Sequence, residues 1–88
     1  MKGDVSKMEL KDTVDLMLSE DYIDRFKAEY YQLKIRFEKL EAMLDKWNAN
    51  ELDFTPTCPR DVLEMQLDQM YNYMKTLELR AQNEYIAL

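Results

Sequence analysis

The 88-residue sequence has no histidine, one glycine, two prolines and one cysteine. Without histidine it lacks the usual proton shuttle, the Ser/His and Cys/His nucleophile pairs, and most zinc sites, which need His or several Cys. Hydrolytic catalysis is therefore not expected, and the chain reads as a non-enzyme. A single glycine cannot build a glycine-rich phosphate loop of either common kind, so nucleotide hydrolysis is not expected either. Basic residues are outnumbered, 12 against 18, and a net charge of -6 opposes a grip on a polyphosphate backbone. No DNA partner is expected. No apolar run approaches the ~20 residues of a membrane span, and Met1-Lys2-Gly3-Asp4 lacks the apolar stretch of a secretory signal. Lone Cys58 agrees with a cytoplasmic, membrane-free protein, since small secreted domains usually carry several paired cysteines.

What is present is helical pattern. Ser6-Lys7-Met8-Glu9 reads as a capping box, followed by Leu10, Val14, Met17 and Leu18 on one face. Ser19-Glu20-Asp21 offers a second cap. Ile23, Phe26, Tyr30, Leu33, Phe37, Leu40, Leu44 and Trp47 then alternate steps of three and four, a coiled-coil seam. Pro56 and Pro59 end that pattern, and Pro59 suits the first turn of another helix. Leu63, Leu67, Met70, Met74, Leu77 and Ala81 repeat the seam. Two matched seams joined by a short connection predict an all-α fold: an antiparallel helical hairpin with a short N-terminal helix. The expected single domain, residues 1–88, has a short helix over about 7–18, a long helix over about 20–49, a loop over about 50–58 and a helix over about 59–84. Leu52 and Phe54 are expected to fold back over the closed end. Second stripes, Ala28, Tyr31, Ile35 and Ala42 on one rod and Val62, Met65, Tyr73 and Leu79 on the other, have no place in a lone hairpin; the short N-terminal helix could cover some of them, but the core is thin for the surface, so a homo-oligomer is expected.

Two kinds of side-chain cluster bear on chemistry. The carboxylates Glu38, Glu41 and Asp45, and likewise Asp61, Glu64 and Asp68, could be imagined on a metal. Di-metal sites of helical bundles also use Glu-x-x-His pairs, and without His these clusters read as solvated faces, with no metal and no cofactor implied. The tyrosines, Tyr22, Tyr30, Tyr31, Tyr71, Tyr73 and Tyr85, are interleaved with Arg25, Lys27, Lys34, Arg36 and Arg80. Aromatic faces stack on bases and cations hold phosphates, so small-nucleotide binding is one reading of the set. The other is that Tyr30 and Tyr73 pack at the core edge with their hydroxyls outward. Cys58, beside Pro59, reads as structural or incidental.

Three segments carry a family resemblance: Arg25-Phe26-Lys27-Ala28-Glu29-Tyr30-Tyr31-Gln32-Leu33 leading into Arg36 and Lys39-Leu40; Leu52-Asp53-Phe54-Thr55-Pro56-Thr57-Cys58-Pro59; and Gln66-Leu67, Met70, Tyr73, Leu77-Glu78 and Arg80-Ala81. Over about residues 20–88 the chain resembles the short helical-hairpin proteins of crAss-type phages, similar to the hairpin domain of phage anti-CBASS and anti-Thoeris sponges, although it lacks the β-rich extension of the anti-Thoeris members. The resemblance implies a phage protein of the host bacterial cytoplasm that binds cyclic nucleotide immune signals without cleaving them. It implies a dimer or hexamer with pockets between protomers. Its binding roles would fall on Tyr22, on Lys34 or Arg36, and on Arg80, with Arg25 among the neighbouring cations. The alternative is a structural or adaptor protein whose second apolar stripe binds a protein partner.

Overall fold

The computed structural model describes residues 8–88, and among them the chain is all-helical. A 3-10 turn, Leu10–Thr13, runs into the one-turn helix α1, Val14–Met17; two long helices follow, α2, Tyr22–Asn48, and α3, Arg60–Asn83. The two long helices pack on each other, and the N-terminal segment packs on α2.

The N-terminal helix is shorter and tighter than the one expected over about 7–18. Ser6 lies outside the described residues, and the cap forms further along: the Asp12 carboxylate accepts from the Glu9 N–H at 2.9 Å. The Thr13 hydroxyl, fully buried, donates to the Leu10 carbonyl at 2.7 Å. Such local bonding competes with the α-helical ladder and favours the tighter turn. Thr13 also accepts from the Gln32 amide at 2.9 Å, which ties the segment to α2. Gln32 lies between Ala28 and Ile35 on one helix face, and both of those residues are buried, so part of the second stripe of α2 is covered within the chain.

Helix α2 starts where Asp21 accepts from the Ile23 N–H at 2.9 Å, the N-cap geometry that satisfies one of the orphan amides of a helix start. Pro59 takes the N-cap position of α3, and its missing N–H leaves no donor unpaired there. Both long helices end in the same way. Asn50 and Tyr85 have φ of 59° and 57°. The following amides reach back, Glu51 to Lys46 O and Ile86 to Ala81 O, each at 2.8 Å. This is the Schellman closure, in which a left-handed residue lets the chain satisfy the last carbonyls.

Facing pairs fix the hairpin register. Trp47 meets Arg60, Phe37 meets Tyr71, Tyr30 meets Glu78 and Tyr22 meets Glu84, four pairs whose residue-number sums lie within one of 107. The helices therefore overlap along nearly their whole length. Phe26, Tyr30, Met74, Leu77 and Ala81 form the core cluster, with Tyr31, Leu33, Phe37 and Ile86 against it. At the closed end Leu52 is half-buried, but Phe54 remains 54% exposed and does not cover the end as expected.

Candidate functional site

The register sets the first turns of α2 against the last turns of α3, and there the sequence-predicted Tyr22 and Arg80 meet. The Arg80 guanidinium lies over the Phe26 ring, 4.8 Å from its centroid. Tyr22 packs beside the same ring, tilted 42° to it with centroids 6.2 Å apart. Arg80 Nη2 donates to Tyr22 Oη at 2.8 Å, and Tyr22 Oη donates to Glu84 Oε1 at 2.8 Å. Arg80 Nε faces Glu84 Oε2 at 3.6 Å. About two turns further along the same flank, the Tyr73 hydroxyl donates to Glu29. The result is an exposed platform of the Tyr22 ring and the Arg80 guanidinium, backed by the buried Phe26 ring, a geometry that can stack a flat ring and hold an anion.

Its electrostatics are those of an engaged cation. The bond to Tyr22 first, then the Glu84 and Glu29 charges, hold Arg80 more firmly protonated than a free guanidinium. The hydrogen bond to Glu29, with burial second, pushes the Tyr73 phenol up. One arginine beside two carboxylates leaves this patch of a single chain with one net negative charge.

The remaining sequence-predicted residues lie elsewhere. Arg25 Nη1 donates to the Ser19 carbonyl at 2.9 Å, so it braces the junction before α2. Lys34 is about 120° around α2 from Tyr22 and about 18 Å along it, on the opposite flank of the seam. There it pairs with Glu38 at 3.3 Å. The same flank holds the Tyr30 hydroxyl, which donates to Glu78 Oε2 at 2.5 Å, and Lys75, 3.2 Å from Glu78 Oε1. Arg36 shares the Tyr22 flank, about 21 Å further along. It is exposed and makes no hydrogen bond or ion pair among the described residues. One chain therefore joins Tyr22 to Arg80 and joins neither to Lys34 or Arg36.

Phe26, Glu84, Glu29 and Tyr73 complete the site; of these only Tyr73 stands among the tyrosines that the sequence offers for stacking. The i, i+4 spacing of Arg80 and Glu84 was a readable signal. The contacts of Tyr22 with Glu84 and of Tyr73 with Glu29 depend on register, which no local pattern states. Open grooves lie away from this platform, among them one of about 510 Å³ between Lys75, Gln82 and Leu88, one of about 350 Å³ between Lys39, Lys46 and Phe54, and one of about 220 Å³ between Trp47, Asn50 and Pro56. Among the described residues no three Cys, Asp or Glu side chains come together as a metal-binding group. No described helix is long and apolar enough to cross a membrane.

The model of the Sequestin family matches residues 20–83, which takes in α2, the connecting loop and α3 and leaves out the 3-10 turn and α1. No curated protein and no solved structure matches the chain.

Proposed function

This chain belongs to the Sequestin family, and we propose that it binds a cyclic nucleotide and holds it intact, as a sponge and not as an enzyme. The family name fits a sequestering protein, and the matched residues 20–83 are those that build the hairpin. The observation that carries the reading is the Arg80 guanidinium stacked on Phe26 and bonded to Tyr22. A cyclic nucleotide offers flat bases and one negative charge per phosphate linkage, so it asks for a stacking face beside a cation. The platform supplies both. It is open and carries net negative charge within one chain, so the ligand needs walls and cations from a second protomer. Arg36, unpaired on the same flank among the described residues, is the cation we assign to that role; Lys34 and Arg25 are tied to their own chain's partners. The assembly is then a dimer or a trimer of dimers, and its service to a phage in the host cytoplasm is to withhold cyclic nucleotide signals from bacterial defence.

The test is a panel of cyclic dinucleotides, cyclic trinucleotides and cyclic ADP-ribose isomers, read by thermal shift and by recovery of the ligand after heating. The expected result is a shift with at least one compound and its release chemically unchanged. Arg80→Ala should weaken that binding by about ten-fold or more, as loss of a hydrogen bond to a charged group does, with the assembly retained. No shift across the panel, or a cleaved product, overturns the reading. A second reading, a protein adaptor, is favoured by one observation: Met65 and Leu79 stand 54% and 58% exposed on the outer face of α3. A protein partner that binds this face while the panel fails would establish it.

A further inference from the structure

The Arg80 platform contains an anion already. Glu84 reaches it with both carboxylate oxygens, Oε1 accepting from Tyr22 and Oε2 facing Arg80 Nε. A phosphodiester presents the same pattern to its surroundings: two terminal oxygens sharing a single negative charge. Tyr22 and Arg80 are the groups that would hold such a diester, and Glu84 uses the donor of one and the Nε edge of the other. We infer that Glu84 is an internal competitor, a carboxylate that occupies the anion position of the free site and that a ligand phosphodiester displaces. This rests on the proposed assignment of Tyr22 and Arg80 to ligand binding.

The position of Glu84 in the fold suits a displaceable group. It is the C-cap of α3, with its N–H bonded to the Arg80 and Gln82 carbonyls, so the helix is held by backbone bonds that the side chain does not share. Its side chain is 36% exposed and that of its partner Arg80 44% exposed. An ion pair this open is weak, and side-chain rotation releases it without disturbing the core. Beyond Glu84 the chain turns through Tyr85 and docks Ile86 on the core cluster, so the terminus stays in place when the carboxylate leaves. Affinity is then reduced by the fraction of molecules in which Glu84 sits on Arg80. The device also favours diesters over neutral nucleosides, because only an anion can replace the lost charge.

Glu84→Gln tests this, with Glu29→Gln as its control. Both remove one negative charge from the same flank, but Glu29 holds the Tyr73 hydroxyl and makes no direct contact with Arg80. Cyclic di-AMP, cyclic tri-AMP and cyclic ADP-ribose are titrated calorimetrically into wild type and both variants, with melting curves to verify the fold. Glu84→Gln should bind about two- to five-fold tighter than wild type, the equivalent of an exposed ion pair, and Glu29→Gln should gain less. A merely structural role for Glu84 would lower affinity or leave it unchanged. Equal or weaker binding by Glu84→Gln, when wild type binds, overturns the competitor and leaves the sponge reading intact. An equal gain in Glu29→Gln also overturns it, since general charge then explains the effect. Binding by Glu84→Gln alone supports it as a masked site, and no binding by any of the three proteins removes both readings.

Discussion

Tyr30 places its ring in the core cluster and its hydroxyl on Glu78. This one bond couples two titrations. Burial, then the bond to Glu78, pushes the Tyr30 phenol well above its ordinary value of 10.0. The same bond holds Glu78 below its ordinary 4.5, aided by Lys75. A raised phenol contributes stability that is complete below pH 10.0 and disappears as pH rises through the folded value. A lowered carboxyl contributes stability that is complete above pH 4.5 and disappears as pH falls through its folded value. Tyr30→Phe should therefore lower the plateau between these limits by about 1 to 2 kcal/mol, allowing for the partly exposed carboxylate, and flatten both limbs. Tyr73, raised by Glu29, keeps part of the alkaline limb in the variant. Urea midpoints measured across pH for the two proteins check this; parallel curves would show that the bond does not form in solution. Of the six tyrosines, local pattern could place Tyr30 on the seam, but it could not say which carboxylate would receive its hydroxyl. That choice belongs to the register.

At the scale of helices, the seams were legible because steps of three and four leave few alternatives for where a rod buries itself. Ile23 shows their limit. It continues the seam of α2 in sequence yet is 43% exposed, because the register sets it opposite residue 84, beyond the last residue of α3. A cap before α2 was legible in Ser19-Glu20-Asp21, although Asp21 and not Ser19 fills it, and Pro59, expected in the first turn of α3, stands one residue before it. The left-handed Tyr85 was not, since nothing in a tyrosine favours positive φ. Its conformation follows from its neighbours: Ile86 is drawn onto the core and its amide onto Ala81 O, and the residue between must turn. Tyr85 itself is 95% exposed and has little packing to lose. Tyr85→Gly should thus stabilise the protein by about 0.5 to 1 kcal/mol, the removed strain exceeding the extra freedom of glycine in the unfolded chain. The measurement is a higher urea midpoint at unchanged slope; an unchanged or lower midpoint would mean that the closure of α3 carries no strain.

The described residues form a rod of 43 × 24 × 23 Å with a radius of gyration of 15.0 Å, against about 12 Å for a compact domain of this length. Such a shape buries little: a five-residue cluster at one end and isolated buried positions elsewhere. The unspent apolar surface is organised. Met65 and Leu79 are two heptads apart on α3 and face away from the seam, so each lies on a surface that another helix could cover. We expect light scattering at micromolar concentration to give at least twice the 10.6 kDa of one chain, with a melting temperature that rises with concentration. Leu79→Lys should reduce that mass while leaving helix content unchanged, because at 58% exposure the substitution costs the single chain no more than about 0.5 kcal/mol. The added lysine moves the net charge from -6 toward zero, so any loss of assembly comes from the desolvated contact and not from greater repulsion between chains. A wild-type mass of 10.6 kDa with concentration-independent melting would remove the interface. It would also remove the second protomer that the Tyr22–Arg80 platform needs, since that patch alone is negative and open.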